Sequence, residues 1–299
     1  MKIDLVCSGG GIKGIALLGA IYTLEKKGFE FVNIGGTSVG AIIASLIQAG
    51  YKAEIILEEI KNHLPRFSFT NKNTVCNKIL GIQRWMMLYW RLGLYSSDDL
   101  EQFLGEFLKK KGISTFLDLP PEALKIVASD ITRESIVVFP RDCDEYTVDI
   151  TKFRISDAVR MSATIPLYFR PRFLTHKETQ QKCMIVDGGI LSNFPMWLFD
   201  KEVEKKARPV IGLQLQSENE ENLSMHAPNH ALSLMKRVVQ TMQTSHDREY
   251  IRKKYARNVV FIPVGKIQAT DFHLSEKQID ELFEKGIKSC ELFLKQWSY

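Results

Sequence analysis

Close cysteine pairs are missing from this chain. Its five cysteines, Cys7, Cys76, Cys143, Cys183 and Cys290, are scattered singly. That excludes a secreted disulfide framework and the paired spacing of a structural zinc site, and it fits a reducing compartment. Long hydrophobic runs are missing too. No stretch approaches the ~18 apolar residues of a transmembrane helix. The N-terminal run Ile3 to Cys7, broken by Asp4, is too short for a signal peptide. The expectation is a cytoplasmic protein that meets membranes peripherally, with non-classical export left open. Glycine (19) and proline (10) are near average, so neither a collagen-like repeat nor a linker-dominated chain is in view. There is no low-complexity tract, no internal repeat and no Asp-rich calcium loop. Excess charge is also scarce: 40 Lys and Arg against 35 Asp and Glu leave a formal +5. That is compatible with an anionic lipid surface, and no nucleic-acid binding is expected.

What is present is an ordinary globular composition, 45% hydrophobic and 25% charged over 299 residues. A chain this long buries roughly three quarters of its unfolded surface and needs no staples. Ile3 to Cys7 reads as a strand, followed by a glycine turn and a helical pattern through Ile15, Leu18, Ile21 and Leu24. Phe31 to Gly35 reads as a second strand, and Ala41 to Ala49 as an apolar helix stopped by Gly50. Strand, helix, strand is the parallel crossover unit. Residues 52–116 read as a mostly helical insertion or cap, with a helix start at Ser97-Asp98-Asp99. Strands are predicted again at Leu124–Ser129 and Ser135–Phe139, joined as a hairpin, then at Cys183–Val186, Val210–Leu215 and Val259–Pro263. A long helix is predicted over residues 228–256. Ser275-Glu276-Lys277-Gln278 is a capping box that opens a last helix with Ile279, Leu282, Phe283, Ile287, Cys290 and Phe293 on one face. The expectation is one α/β domain over 1–299, with a mostly parallel sheet flanked by helices.

Two glycine-rich turns each follow a strand and open a helix. Gly36-Thr37-Ser38-Val39-Gly40 has the form of a nucleophile elbow. The strand turns so sharply into the helix that the residues two on either side of Ser38 must be small, and Gly36 and Gly40 are. Ser38 would sit at a helix N-terminus, whose partial positive charge favours a developing alkoxide. A plain turn with a serine cap is the bland alternative. The other turn, Gly9-Gly10-Gly11-Ile12-Lys13-Gly14, has two readings. As Gly9-x-Gly11-x-x-Gly14 it matches a dinucleotide fingerprint, but the acidic residue required at the end of the second strand is absent: Ile34-Gly35-Gly36 stands there. As consecutive glycines beside Ser38 it offers backbone N–H groups for an oxyanion.

A serine nucleophile needs a base. None of the six histidines, His63, His176, His226, His230, His246 and His273, stands in a conspicuous setting. Asp187 ends the apolar run Cys183-Met184-Ile185-Val186 and precedes Gly188 and Gly189. A carboxylate at a strand's carboxyl end lies on the rim where α/β sites form, although Asp-Gly is also a common turn.

Taken together and in this order, Gly9-Gly10-Gly11-Ile12-Lys13-Gly14, Gly36-Thr37-Ser38-Val39-Gly40 and Asp187-Gly188-Gly189 resemble the patatin-like phospholipase family. So do Ser162-Ala163-Thr164-Ile165-Pro166-Leu167-Tyr168-Phe169-Arg170-Pro171 and Ser129-Asp130. The resemblance implies a three-layer α/β fold and a Ser-Asp dyad without histidine. Ser38 would be the nucleophile and Asp187 its base. Gly9, Gly10, Gly11, Lys13 and Gly14 would form the oxyanion loop. It implies calcium-independent hydrolysis of acyl esters of membrane lipids, of phospholipase A or lysophospholipase type, with no metal and no cofactor. A soluble esterase or thioesterase is the nearest alternative, and a dinucleotide-binding oxidoreductase the alternative from another class. Arg84-Trp85-Met86-Met87-Leu88-Tyr89-Trp90-Arg91 would suit a lid or docking segment, or an ordinary core helix; Arg248 to Arg257 reads as a basic helix end. A regulatory ligand or partner is left open.

Overall fold

The computed structural model describes residues 1–63, 92–200, 208–217, 256–265, 267, 269, 271 and 273–297. Ten strands are named among them: β1 (Lys2–Cys7), β2 (Glu30–Thr37), β3 (Gly93–Tyr95), β4 (Leu124–Asp130), β5 (Ser135–Phe139), β6 (Leu167–Phe169), β7 (Arg172–Thr175), β8 (Lys182–Asp187), β9 (Val210–Ser217) and β10 (Val259–Gly265). The α-helices among them are α1 (Ile15–Lys26), α2 (Val39–Gln48), α3 (Ala53–His63), α4 (Asp98–Lys109), α5 (Ile155–Ser162) and α6 (Glu276–Gln296).

The main sheet runs β10-β9-β1-β2-β4-β8-β7, with β5 on β4. Pairings β10–β9, β9–β1, β1–β2 and β2–β4 are parallel, while β4–β5, β4–β8 and β7–β8 are antiparallel. Within β1, Ile3, Leu5 and Cys7 face one apolar cluster and Val6 the other. This is the period-two alternation of a strand buried on both faces. The first cluster is filled by helix side chains such as Leu18, Ile43, Ile56, Leu104, Val159 and Leu282. The second is covered by Phe194, Met196, Leu198 and Phe199.

The register on β4 decides where the site forms. β5 pairs with β4 from Ile126 to Asp130, so it occupies one edge. On the other edge β2 pairs up to Val127, which lies opposite Thr37. β8, running the opposite way, begins its pairing at Ala128, opposite Asp187. The carboxyl ends of β2 and β8 therefore abut head to head on consecutive residues of β4. The residue after Thr37 is Ser38.

The capping box at Ser275 and Gln278 is formed, and Ile279, Leu282 and Cys290 on its helix are buried. The hairpin between β4 and β5 is present as read. Of the predicted helical stretch 52–116, the described residues 52–63 and 92–116 are not all helical. α3 and α4 are there, but β3 pairs with β6 in a separate two-stranded sheet. β6, β7 and α5 are not anticipated by the pattern at all. The 84–91 segment, the 228–256 helix, most of the basic stretch 248–257, and Cys76 lie outside the described residues. Among the described residues no helix is long and apolar enough to cross a membrane.

Candidate active site

Ser38 stands between β2 and α2 with φ 56° and ψ −123°. A non-glycine residue there is strained by about 1–3 kcal/mol and persists only where its surroundings over-determine it. The surroundings are tight. A methyl group on Gly36 would lie 2.5 Å from the Gly40 carbonyl carbon, and one on Gly40 would lie 2.3 Å from the Cys7 carbonyl oxygen. The elbow therefore admits only glycine at both positions.

The Ser38 Oγ–H donates to Asp187 Oδ2 at 2.7 Å, and the Gly189 N–H donates to Asp187 Oδ1 at 2.7 Å. Both side chains are buried, with Ser38 6% and Asp187 4% exposed. Burial pushes the Asp187 carboxyl up to about 6, partly offset by the bonds from Ser38 and Gly189. Gly188 is required by the same junction: a methyl group on it would lie 2.3 Å from the Val127 carbonyl oxygen.

The first glycine turn lies against this pair. A methyl group on Gly9 would lie 2.3 Å from Asn193 Oδ1 and 3.4 Å from Ser38 Cβ, and one on Gly14 would meet Val39 at 2.3 Å. Gly11 has φ 59° and packs on the Ala269 carbonyl. The Gly9 N–H donates to the Asn193 carbonyl and the Ile12 N–H to the Ala269 carbonyl. Among the described residues no backbone hydrogen bond uses the Gly10 or Gly11 N–H. Lys13 is half-buried in the single turn Gly11–Gly14. Cys7 is buried just before the loop; its thiol is pushed up to about 12 by burial and stays protonated at neutral pH.

Ser38, Asp187 and the glycine loop are thus brought together. His63 bonds the Glu59 carbonyl and His176 is held by Thr179, whereas Ser38 bonds Asp187; His226, His230 and His246 lie outside the described residues. Among the described residues no group of three His, Cys, Asp or Glu side chains could hold a metal ion. Three contacts at the site were not anticipated. Ser162 Oγ accepts the Ser38 N–H at 2.9 Å, the Thr164 carbonyl accepts the Asp187 N–H at 2.9 Å, and Asn193 buttresses Gly9.

A mostly parallel sheet flanked by helices, with a serine on a glycine-flanked strand-to-helix turn bonded to a buried carboxylate, defines a mixed α/β protein with its candidate site at the strand ends. The chain belongs to the patatin-like phospholipase family, a family of lipid hydrolases: the family model described as Patatin-like phospholipase matches residues 5–200. The Bacillus subtilis (strain 168) protein described as "Uncharacterized protein YqhO" is 42% identical, over 100% of both chains. The "Probable lipid hydrolase 463L" of Invertebrate iridescent virus 6 is 28% identical over 68% of this chain and 64% of its own. Among solved structures, VipD from Legionella pneumophila matches with a TM-score of 0.51 at 19% identity, and the match covers 98% of this chain and 66% of that one. That likeness concerns the fold.

Proposed function

We propose that the protein is a serine acyl hydrolase of phospholipase A or lysophospholipase type, acting on membrane lipids through Ser38 and Asp187. The observation that carries this reading is the 2.7 Å bond from Ser38 Oγ to a buried carboxylate whose affinity for protons is raised. A base poised near neutrality is ionised at pH 7 yet basic enough to take a proton. Ser38 Oγ attacks the ester carbonyl as Asp187 takes its proton. The oxyanion rests against the Gly10 and Gly11 N–H groups, at the positive end of α2. The tetrahedral species collapses, the C–O bond to the leaving alcohol breaks, and Asp187 returns the proton to that alcohol. Water then attacks the acyl-Ser38 ester and gives a proton to Asp187; the acyl C–Oγ bond breaks, Asp187 passes that proton to Ser38 Oγ, and fatty acid leaves with Ser38 free.

In this scheme Asp187 supplies the base and backbone amides supply the charge stabilisation, so calcium has no assigned step. The dinucleotide reading loses ground on two counts. The family is one of lipid hydrolases, and the Ile12 N–H at the first turn of the glycine loop is already bonded to Ala269. The lipid substrate makes peripheral contact with a membrane part of the reading. The test is hydrolysis of mixed phospholipid vesicles in EGTA by the wild type and by Ser38→Ala, with products identified by mass spectrometry. Free fatty acid and lysophospholipid are expected from the wild type only. Equal product from Ser38→Ala would refute the nucleophile, and loss of wild-type activity in EGTA, restored by calcium, would refute the metal-free scheme.

A further inference from the structure

The abutment of β2 and β8 on β4 leaves a gap in the ladder where the dyad stands. Continuing β2 by one residue would pair Ser38 with Ala128, but Ala128 is already paired with Asp187 of β8. The Ser38 N–H is therefore turned out of the sheet. It meets the Ser162 hydroxyl, which accepts it at 2.9 Å and donates its own proton to the Val127 carbonyl at 2.6 Å. Ser162 is wholly buried. It ends α5, and the chain continues through Ala163 to Thr164, whose carbonyl accepts the Asp187 N–H at 2.9 Å. One turn thus holds the backbone N–H of both members of the dyad.

We propose that Ser162 is a positioning residue for the hydrolysis: its hydroxyl, with the Thr164 carbonyl, clamps the two dyad residues from outside the sheet and sets the approach of Ser38 Oγ to Asp187. The inference rests on the dyad reading above. It explains how a strained Ser38 backbone is held at the crest, because its N–H has a fixed acceptor that no residue of β2 or β4 provides. It also takes the Ser38 N–H out of contention as an oxyanion donor and leaves that task to the glycine loop. A buried hydroxyl that both accepts and donates across a joint between two strands fixes geometry more tightly than either bond alone.

The alternative is that Ser162 only satisfies two buried backbone groups. The two accounts part in the rate per folded site. Wild type, Ser162→Ala and Ser162→Cys are titrated with a fluorophosphonate to count active sites. The rate of phosphonylation at Ser38, and kcat and KM on a short-chain ester, are then measured well below each Tm. The expected result for Ser162→Ala is a loss on the order of tenfold to a hundredfold in phosphonylation rate and kcat per titrated site, at nearly unchanged KM, as a small misplacement of a reacting group produces. Ser162→Cys, which keeps a weak donor and acceptor, is expected between the two. A lowered Tm with an undiminished rate per site in both variants would overturn the proposal and leave Ser162 merely structural. If Ser162→Ala fails to fold, Ser162→Cys decides alone: a rate equal to wild type overturns the proposal. Failure of the wild type to label at Ser38 would instead bring down the dyad reading, and this inference with it.

Discussion

Asp187 is costly to bury, and its burial is what would make it a base in the proposed reaction. Its carboxyl sits at about 6, raised from the ordinary carboxylate range by burial and held back by Ser38 and Gly189. In the proposed role of base it must be ionised, so kcat/KM is expected to rise with pH along a limb centred near 6 and to level off above it. A profile flat from pH 5 to 8 would count against Asp187 as the titrating base. The same shift has a stability sign. Below the unfolded pKa both states hold the proton and nothing is lost. As pH rises from about 4 through 6 the unfolded chain gives up its proton more readily than the folded one, and the folded state loses ground by about 1–3 kcal/mol. Asn at this position keeps an oxygen for the Gly189 N–H and cannot ionise. Asp187→Asn is therefore expected to abolish turnover while raising Tm at pH 8, with the gain vanishing near pH 4; a Tm equal to or below wild type at pH 8 would contradict the desolvation argument. Ser38 and Asp187 were legible in the sequence as candidates because the turn needs small residues at fixed spacing and the strand-end carboxylate precedes two glycines. Ser162 was not, because its role exists only where two strands distant in the chain meet.

At the scale of elements, the piece that carries Ser162 is α5, and its sequence, Ile-Ser-Asp-Ala-Val-Arg-Met-Ser, conceals it. A helix is read from apolar residues at helical spacing, yet α5 buries Ser156, Arg160 and Ser162 as thoroughly as Ile155 and Val159. β6 and β7 were equally hidden, being three and four residues long. Arg160 explains how a polar helix is kept in place. It donates to the Oγ of Ser97, the N-cap of α4, at 2.9 Å and to Glu101 Oε2 on α4 at 2.6 Å, and it also pairs with Asp98. Glu101 receives Arg172 at 2.7 Å and Arg154 as well. Burial works against the Glu101 charge, but the bonds from Arg160 and Arg172 prevail and hold its carboxyl at about 2. Glu101→Gln removes the charge on which three arginines converge. It is expected to cost about 3 kcal/mol, the low end for a broken buried ion pair, because Asp98 still faces Arg160. Read by urea unfolding at pH 7, the cost should persist down to about pH 5. It should shrink at more acid pH, where the wild-type unfolded chain takes up the proton that folded Glu101 resists. A loss of only a few tenths of a kcal/mol would show that α5 is not latched through this cluster.

At the scale of the molecule, the chain's last described helix closes on its first. α6 crosses α1 so closely that a methyl group on Gly286 would lie 1.9 Å from the Ala16 carbonyl oxygen, and one on Gly19 would lie 2.0 Å from that of Phe283. The C-terminal helix and the N-terminal crossover unit thus share one core. The parallel unit and the last helix were legible because their apolar periodicity matches what they bury; the register that brings β2 and β8 end to end was not, since no local pattern encodes it. That register leaves the side chains of Ser38 and Asp187 almost wholly covered. An ester in dilute solution gains little from finding such a site, whereas a protein resting on a lipid surface meets acyl chains at high local concentration. The net charge of +5 favours anionic surfaces, and added salt weakens that attraction. For a lipid hydrolase the rate on a short-chain phospholipid is therefore expected to climb steeply as the substrate passes from monomers to micelles. On vesicles it is expected to rise with anionic lipid content and to fall with added salt. A soluble esterase or thioesterase would follow simple saturation through the same concentration range. If the Ser38-dependent rate shows no break at the aggregation point and no response to surface charge, the substrate is a soluble ester or thioester. Bilayer contact then falls from the account, with the dyad chemistry left standing.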